Sequence, residues 1–181
     1  MRREQICEII NNRMQLATGC TEPAAIALTA AYARERLPGR GISRVRVKAS
    51  VNVIKNAMCA GIPNLDFTGV NFAAALGATA GQSGRQLMVV DTASPAQVQQ
   101  ALDLVRQGRV TVDREEAGPG GDKLFIEVGL ESEDGRAAVA IIAGGHTNLV
   151  YLASDREVFI DRREEPEKEK QTPAPGRSSS P

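Results

Sequence analysis

Three short polar stretches hold the residue types that chemistry requires. Gly19-Cys20-Thr21-Glu22-Pro23 puts a thiol at the start of the alanine-rich run Ala24 to Ala33, strong helix-forming material with Pro23 at a first-turn position that proline favours. A cysteine there faces unpaired backbone N–H groups and the positive end of the helix dipole, which favour the thiolate, the form that binds metal. The competing reading is a small buried hydrophobe, the usual state of a free cysteine. The second stretch, Ser50 to Asn56 ahead of Gly61-Ile62-Pro63-Asn64, places Asn52, Lys55 and Asn56 at an expected strand end. Those side chains have the donors to hold a small carboxylate, although a solvated strand end has the same composition. The third, Gly144-Gly145-His146-Thr147-Asn148, follows the apolar run Ala137 to Ala143 and contains the only histidine. A lone histidine is open to a proton-transfer role or to a structural one.

In their order and separations these stretches resemble the N-terminal half of the iron–sulfur-dependent L-cysteine desulfidases, relatives of the alpha chain of bacterial L-serine dehydratase. The resemblance covers about residues 1 to 160. It implies a lyase performing α,β-elimination on a small amino acid, L-cysteine going to pyruvate, ammonia and sulfide, with a 4Fe-4S cluster as Lewis acid. On that pattern Cys20 is a cluster ligand, and Lys55, His146 and Glu22 are catalytic. Thr21, Asn52, Asn56, Thr147 and Asn148 would bind substrate. Cluster ligation asks for three or four thiolates, and Cys7, Cys20 and Cys59 match no ferredoxin-like or zinc spacing. Cys7 falls in the apolar register of the first expected helix, and Cys59 follows the polar strand end. The other ligands are therefore expected from a companion chain carrying a C-terminal half. The alternative is a non-catalytic small-molecule-binding or assembly module derived from the same family.

Composition narrows the remaining classes. Lys plus Arg equals Asp plus Glu at 22 each and aromatic residues make up 3%, so neither a basic field nor a stacking surface points to nucleic acid. No apolar run reaches the roughly 18 residues of a membrane span, and Met1-Arg2-Arg3-Glu4 leads into a polar helix rather than a signal-peptide core. Unpatterned cysteines fit a reducing compartment, hence a cytoplasmic location; a homo-oligomer is left open.

The elements that must position these residues read as an α+β domain, an antiparallel sheet with helices on one face and a ferredoxin-like strand-helix-strand arrangement in the second half. Helices are expected over 3–16, 23–37, 67–80 and 95–107, the last capped by Ser94-Pro95. Strands are expected over 43–54, 87–90, 110–114, 124–131, 137–143, 149–153 and 158–160, with Asp134-Gly135 as a hairpin turn. Residues 1–162 form one domain, divisible at most into 1–84 and 85–162. Residues 163–181, rich in Glu, Lys, Pro and Ser, are expected to be disordered.

Overall fold

A computed structural model describes residues 20–58, 61–62, 65–118, 121–155 and 157–163. The expected first helix, Cys7, Cys59 and nearly all of the expected disordered tail lie outside the described residues.

The Ala-rich run forms α1, Thr21–Arg36. It is buried almost all round, from Ala25, Ile26 and Leu28 to Ala30, Ala31 and Ala33, which marks a central rather than a surface helix. β1, Arg44–Ser50, follows with the expected alternation: Val45, Val47 and Ala49 face the core, while Arg44, Arg46 and Lys48 face outward. Ser50 is buried at the strand end, where its hydroxyl donates to Lys123 O at 2.8 Å.

The expected extension of this strand to Ile54 is corrected. Val51–Met58 is a helix, α2, with Val53 and Ala57 buried one turn apart and Val51 40% exposed. Asn52-Val53-Ile54 fits either periodicity over so short a window, and burial of the i, i+4 pair decides for the helix. The short hairpin β2, Gly61–Ile62, and β3, Leu65–Thr68, comes next. The third helix, α3, spans Val70–Ala80 rather than starting at Phe67, because Gly69 takes φ +101° at its N-cap. The expected strand over Leu87 to Val90 is also absent. Ser83–Met88 is a 3₁₀ segment kinked at Gln86, and it buries Leu87 without joining a sheet.

The Ser94-Pro95 expectation holds. α4, Pro95–Arg106, begins with a capping box in which the Ser94 hydroxyl accepts from the Gln97 N–H and the Gln97 side chain accepts from the Ser94 N–H. β4, Val110–Glu115, β5, Phe125–Glu131, β6, Ala137–Ala143, β7, Leu149–Ser154, and β8, Glu157–Asp161, complete the fold.

The six-stranded sheet runs β4-β1-β5-β6-β7-β8. All neighbours are antiparallel except β1 and β4, which pair in parallel with Val45 opposite Val110. The strand-helix-strand arrangement expected in the second half is corrected: without a strand at 87–90, the parallel partner of β4 is β1 of the first half. The crossover from β1 to β4 carries α2, the β2-β3 hairpin, α3 and α4.

One face of the sheet is covered by helices: α1 lies over β5 to β7, α3 over β1 and β4, and α4 packs on α3. The two central helices approach closely because Gly77 of α3 meets the α1 backbone. A Cβ on Gly77 would sit 2.6 Å from Ala27 Cα, so only glycine fits there. On the outer face Lys48 pairs with Glu127 at 3.6 Å, and Phe125, Ile141 and Ala143 form a small satellite core against Tyr151.

Candidate functional site

Three separate elements bring polar side chains to the N-terminal end of α1. Cys20 is the N-cap, in extended conformation, and Thr21 and Glu22 open the helix. Asn56 comes from the last turn of α2, and His146 from the loop between β6 and β7. That loop turns on Gly144, at φ +72°, and is closed by Asn148, whose N–H donates to Gly145 O at 3.1 Å and whose side-chain amide donates to Ala143 O at 2.8 Å.

Glu22 is the hub of the cluster. Its Oε2 accepts from the Cys20 thiol at 3.0 Å and from the Thr21 hydroxyl at 3.2 Å, and its Oε1 accepts from Asn56 Nδ2 at 2.9 Å. His146 Nε2 lies 3.9 Å from Oε1 and 3.3 Å from the Thr21 hydroxyl. A threonine hydroxyl has one proton to give. When that proton is on Glu22, the contact with His146 is a hydrogen bond only if Nε2 carries a proton, so the arrangement favours a protonated Nε2.

The side chain of Glu22 is 17% exposed and that of His146 34%. Burial pushes the Glu22 carboxyl up, but hydrogen bonds from Cys20, Asn56, its own N–H and Thr21 outweigh it and hold the group at about 2. Glu22 is therefore a fixed negative charge at neutral pH and a poor proton acceptor.

The same geometry corrects the expectation for Cys20. Its thiol is raised, first by burial and then because it donates to Glu22; Coulombic repulsion from that carboxylate adds to the effect. The helix terminus acts the other way and loses, since a carboxylate at hydrogen-bonding distance outweighs partial charges. Cys20 stands here as a neutral thiol. The Cys20-Thr21-Glu22 spacing carried that signal, a helix N-cap with an acid in the first turn.

The remaining expected site residues divide. Asn56 and His146 join the cluster, and Thr147 sits beside His146 in the same half-buried loop. One N–H of the Asn148 amide is engaged in closing the loop, donating to Ala143 O. Asn52 and Lys55 are exposed on α2. At about 100° per residue, Lys55 points opposite the buried face formed by Val53 and Ala57. On the helix the expected carboxylate clamp of Asn52, Lys55 and Asn56, at i, i+3 and i+4, lies along one exposed face rather than at a strand end, and Asn56 of the three bonds to Glu22.

Comparison with known proteins gives relatives named UPF0597 protein. One from Bacteroides thetaiotaomicron is 40% identical over 162 residues, 90% of this chain and 37% of the relative. Another from Alkaliphilus oremlandii is 35% identical over 160 residues, 88% and 36% of the two chains. One from Latilactobacillus sakei is 34% identical over 161 residues, 89% and 36%. The chain thus spans little more than a third of the length of the curated relatives it matches. No family model matches it. These findings correct the expected kinship with the L-cysteine desulfidases and the L-serine dehydratase alpha chain: the relatives bear a different family name over about nine-tenths of the chain.

No helix among the described residues is long and apolar enough to cross a membrane. Nor do three or more His, Cys, Asp or Glu side chains come together there to hold a metal ion.

Proposed function

We propose that the cluster at the start of α1 is the proton-transfer half of a lyase site that performs α,β-elimination on a small amino acid, such as L-cysteine, completed by a companion segment or chain. The observation that supports this reading is the meeting of His146 with Thr21 and Glu22, 125 positions apart for the contacting pair. A histidine within reach of a hydroxyl and a carboxylate can take part in proton transfer.

In the reaction the α-hydrogen leaves as a proton to the unprotonated ring nitrogen of His146, and the bond from Cβ to sulfur breaks with its electron pair. The departing sulfide takes a proton. The resulting enamine tautomerises, and water hydrolyses it to pyruvate and ammonia. Glu22, too acidic to act as the base, anchors charge, and the Thr21 hydroxyl links it to the imidazole.

A 4Fe-4S cluster belongs to this reading only with thiolates from outside the described residues. Those residues offer one thiol, Cys20, where a cluster asks for three or four, so by themselves they do not fit a cluster.

The test is pyruvate formation from L-cysteine and L-serine by this chain, purified without oxygen together with its companion polypeptide. His146→Ala should lower kcat by about 100-fold or more with the fold intact. Equal rates in variant and parent would remove His146 from the chemistry. The non-catalytic binding module is favoured by a different observation: both Glu22 oxygens are already engaged by the protein's own donors. It predicts amino-acid binding without turnover.

A further inference from the structure

At the opposite end of α1 lies a cavity of about 470 Å³, within the size range of small-molecule sites. Arg34, in the last turn of α1, lines it, thirteen residues beyond Thr21 and so about 20 Å from the Glu22 cluster. Half-buried, its guanidinium has no hydrogen bond or ion pair among the described residues. A second guanidinium, Arg109, lines the same cavity, tied to Ile42 O at 3.2 Å and only loosely to Glu133 at 4.0 Å. Across α4 the wall carries Asp103, one of whose oxygens accepts from Gln99 at 2.9 Å while the other takes no hydrogen bond from a described residue. Leu104 and Ala78 supply apolar surface.

We infer that this cavity is a second binding site, one that takes an amino-acid-sized zwitterion. A guanidinium in a half-buried site without a counter-ion has incurred desolvation that a carboxylate ligand would offset through paired N–H···O bonds. A simple anion would be repelled by Asp103 and Glu133, which line the same space. A ligand carrying an ammonium as well turns those carboxylates into partners. Both signs of charge are thus matched by one molecule whose carboxylate meets Arg34 and Arg109 and whose ammonium meets Asp103. The site stands whether or not the elimination reading holds, since it shares no residue with the Glu22 cluster.

Isothermal titration calorimetry of the full chain against the proteinogenic L-amino acids, with acetate and inorganic phosphate as singly functional probes, tests the inference. At least one amino acid should bind with a Kd of about 0.1 to 1 mM. Arg34→Ala and Asp103→Asn should each weaken it by about 10-fold or more, with circular dichroism showing both variants folded. Glu22→Gln should leave this binding unchanged. No heat from any amino acid at about 10 mM overturns the inference. So does binding lost in Glu22→Gln but kept in Arg34→Ala, which would place the ligand at the other end of the helix. Phosphate binding as tight as the amino acid and indifferent to Asp103→Asn would leave only an anion site.

Discussion

The two ends of α1 differ in how their polar groups are satisfied. At the N-terminal end Cys20, Thr21, Asn56 and His146 converge on Glu22, and the carboxylate is saturated by the protein itself. At the C-terminal end Arg34 faces a cavity with no partner among the described residues. The lesson is that a saturated cluster fixes protonation states in advance, whereas an unsatisfied charge in a concave site is a demand for a ligand. One helix, clamped along its middle by α3, holds both arrangements in place.

Breaking the clamp should have the largest effect. Gly77→Val forces side-chain atoms into the Ala27 backbone and should destabilise the protein by about 3 kcal/mol, read by thermal or urea melting. A loss of less than about 1 kcal/mol would mean that the helices separate easily and that their two ends are independent.

Next in size is the charge at the N-terminal end. The folded value of Glu22, about 2, lies below its ordinary 4.5, so its stabilisation is complete above about pH 5 and is lost as pH falls through 4.5 towards 2. Glu22→Gln should cost on the order of 2 kcal/mol at neutral pH, and the gap between variant and parent should close under acid. Melting curves across that range that stay parallel would show that the carboxylate is not held by its donors.

The same substitution sharpens the contrast through Cys20. Without the neighbouring carboxylate the thiol should ionise more readily, and its alkylation by iodoacetamide at neutral pH should quicken by about 3- to 10-fold. The measurement needs Cys7→Ser and Cys59→Ser in the background, so that one thiol reports. An unchanged rate would mean that burial alone keeps Cys20 protonated.

The smallest effect belongs to Lys55→Ala. Exposed on the side of α2 opposite Val53 and Ala57, this residue should change stability by no more than about 0.5 kcal/mol and leave pyruvate formation untouched. A marked loss of turnover would restore it to the site.

Sequence patterning was reliable where a period ran long enough to have one meaning. The alternation of Val45 and Val47 with Arg44, Arg46 and Lys48, the Ser94-Pro95 cap and the Asp134-Gly135 turn all appear as expected. It failed at Asn52 to Ile54 and at Leu87 to Val90, where three or four residues satisfy both helical and extended templates and tertiary burial makes the choice. The Glu22 cluster was legible as residue types but not as chemistry. Helix polarity suggested a thiolate at Cys20, and burial, together with a carboxylate two residues on, reversed that expectation. The Arg34 cavity left no local trace, because its lining comes from five stretches with no motif among them.

The pairing of β1 with β4 also sets how the chain finds its fold. From β5 to β8 each strand meets its predecessor through a short turn, so that meander closes small loops and forms from local contacts. β1 must instead find β5 across some seventy-five residues, with Arg44 opposite Glu131, and accept β4 in parallel after the whole crossover has been laid down. Loop-closure entropy makes such encounters late and slow. On these grounds the strand that leads into Asn56 is expected to be secured last, and the Glu22 cluster to assemble only with the slowest contact of the sheet, an order that site-by-site folding kinetics would check.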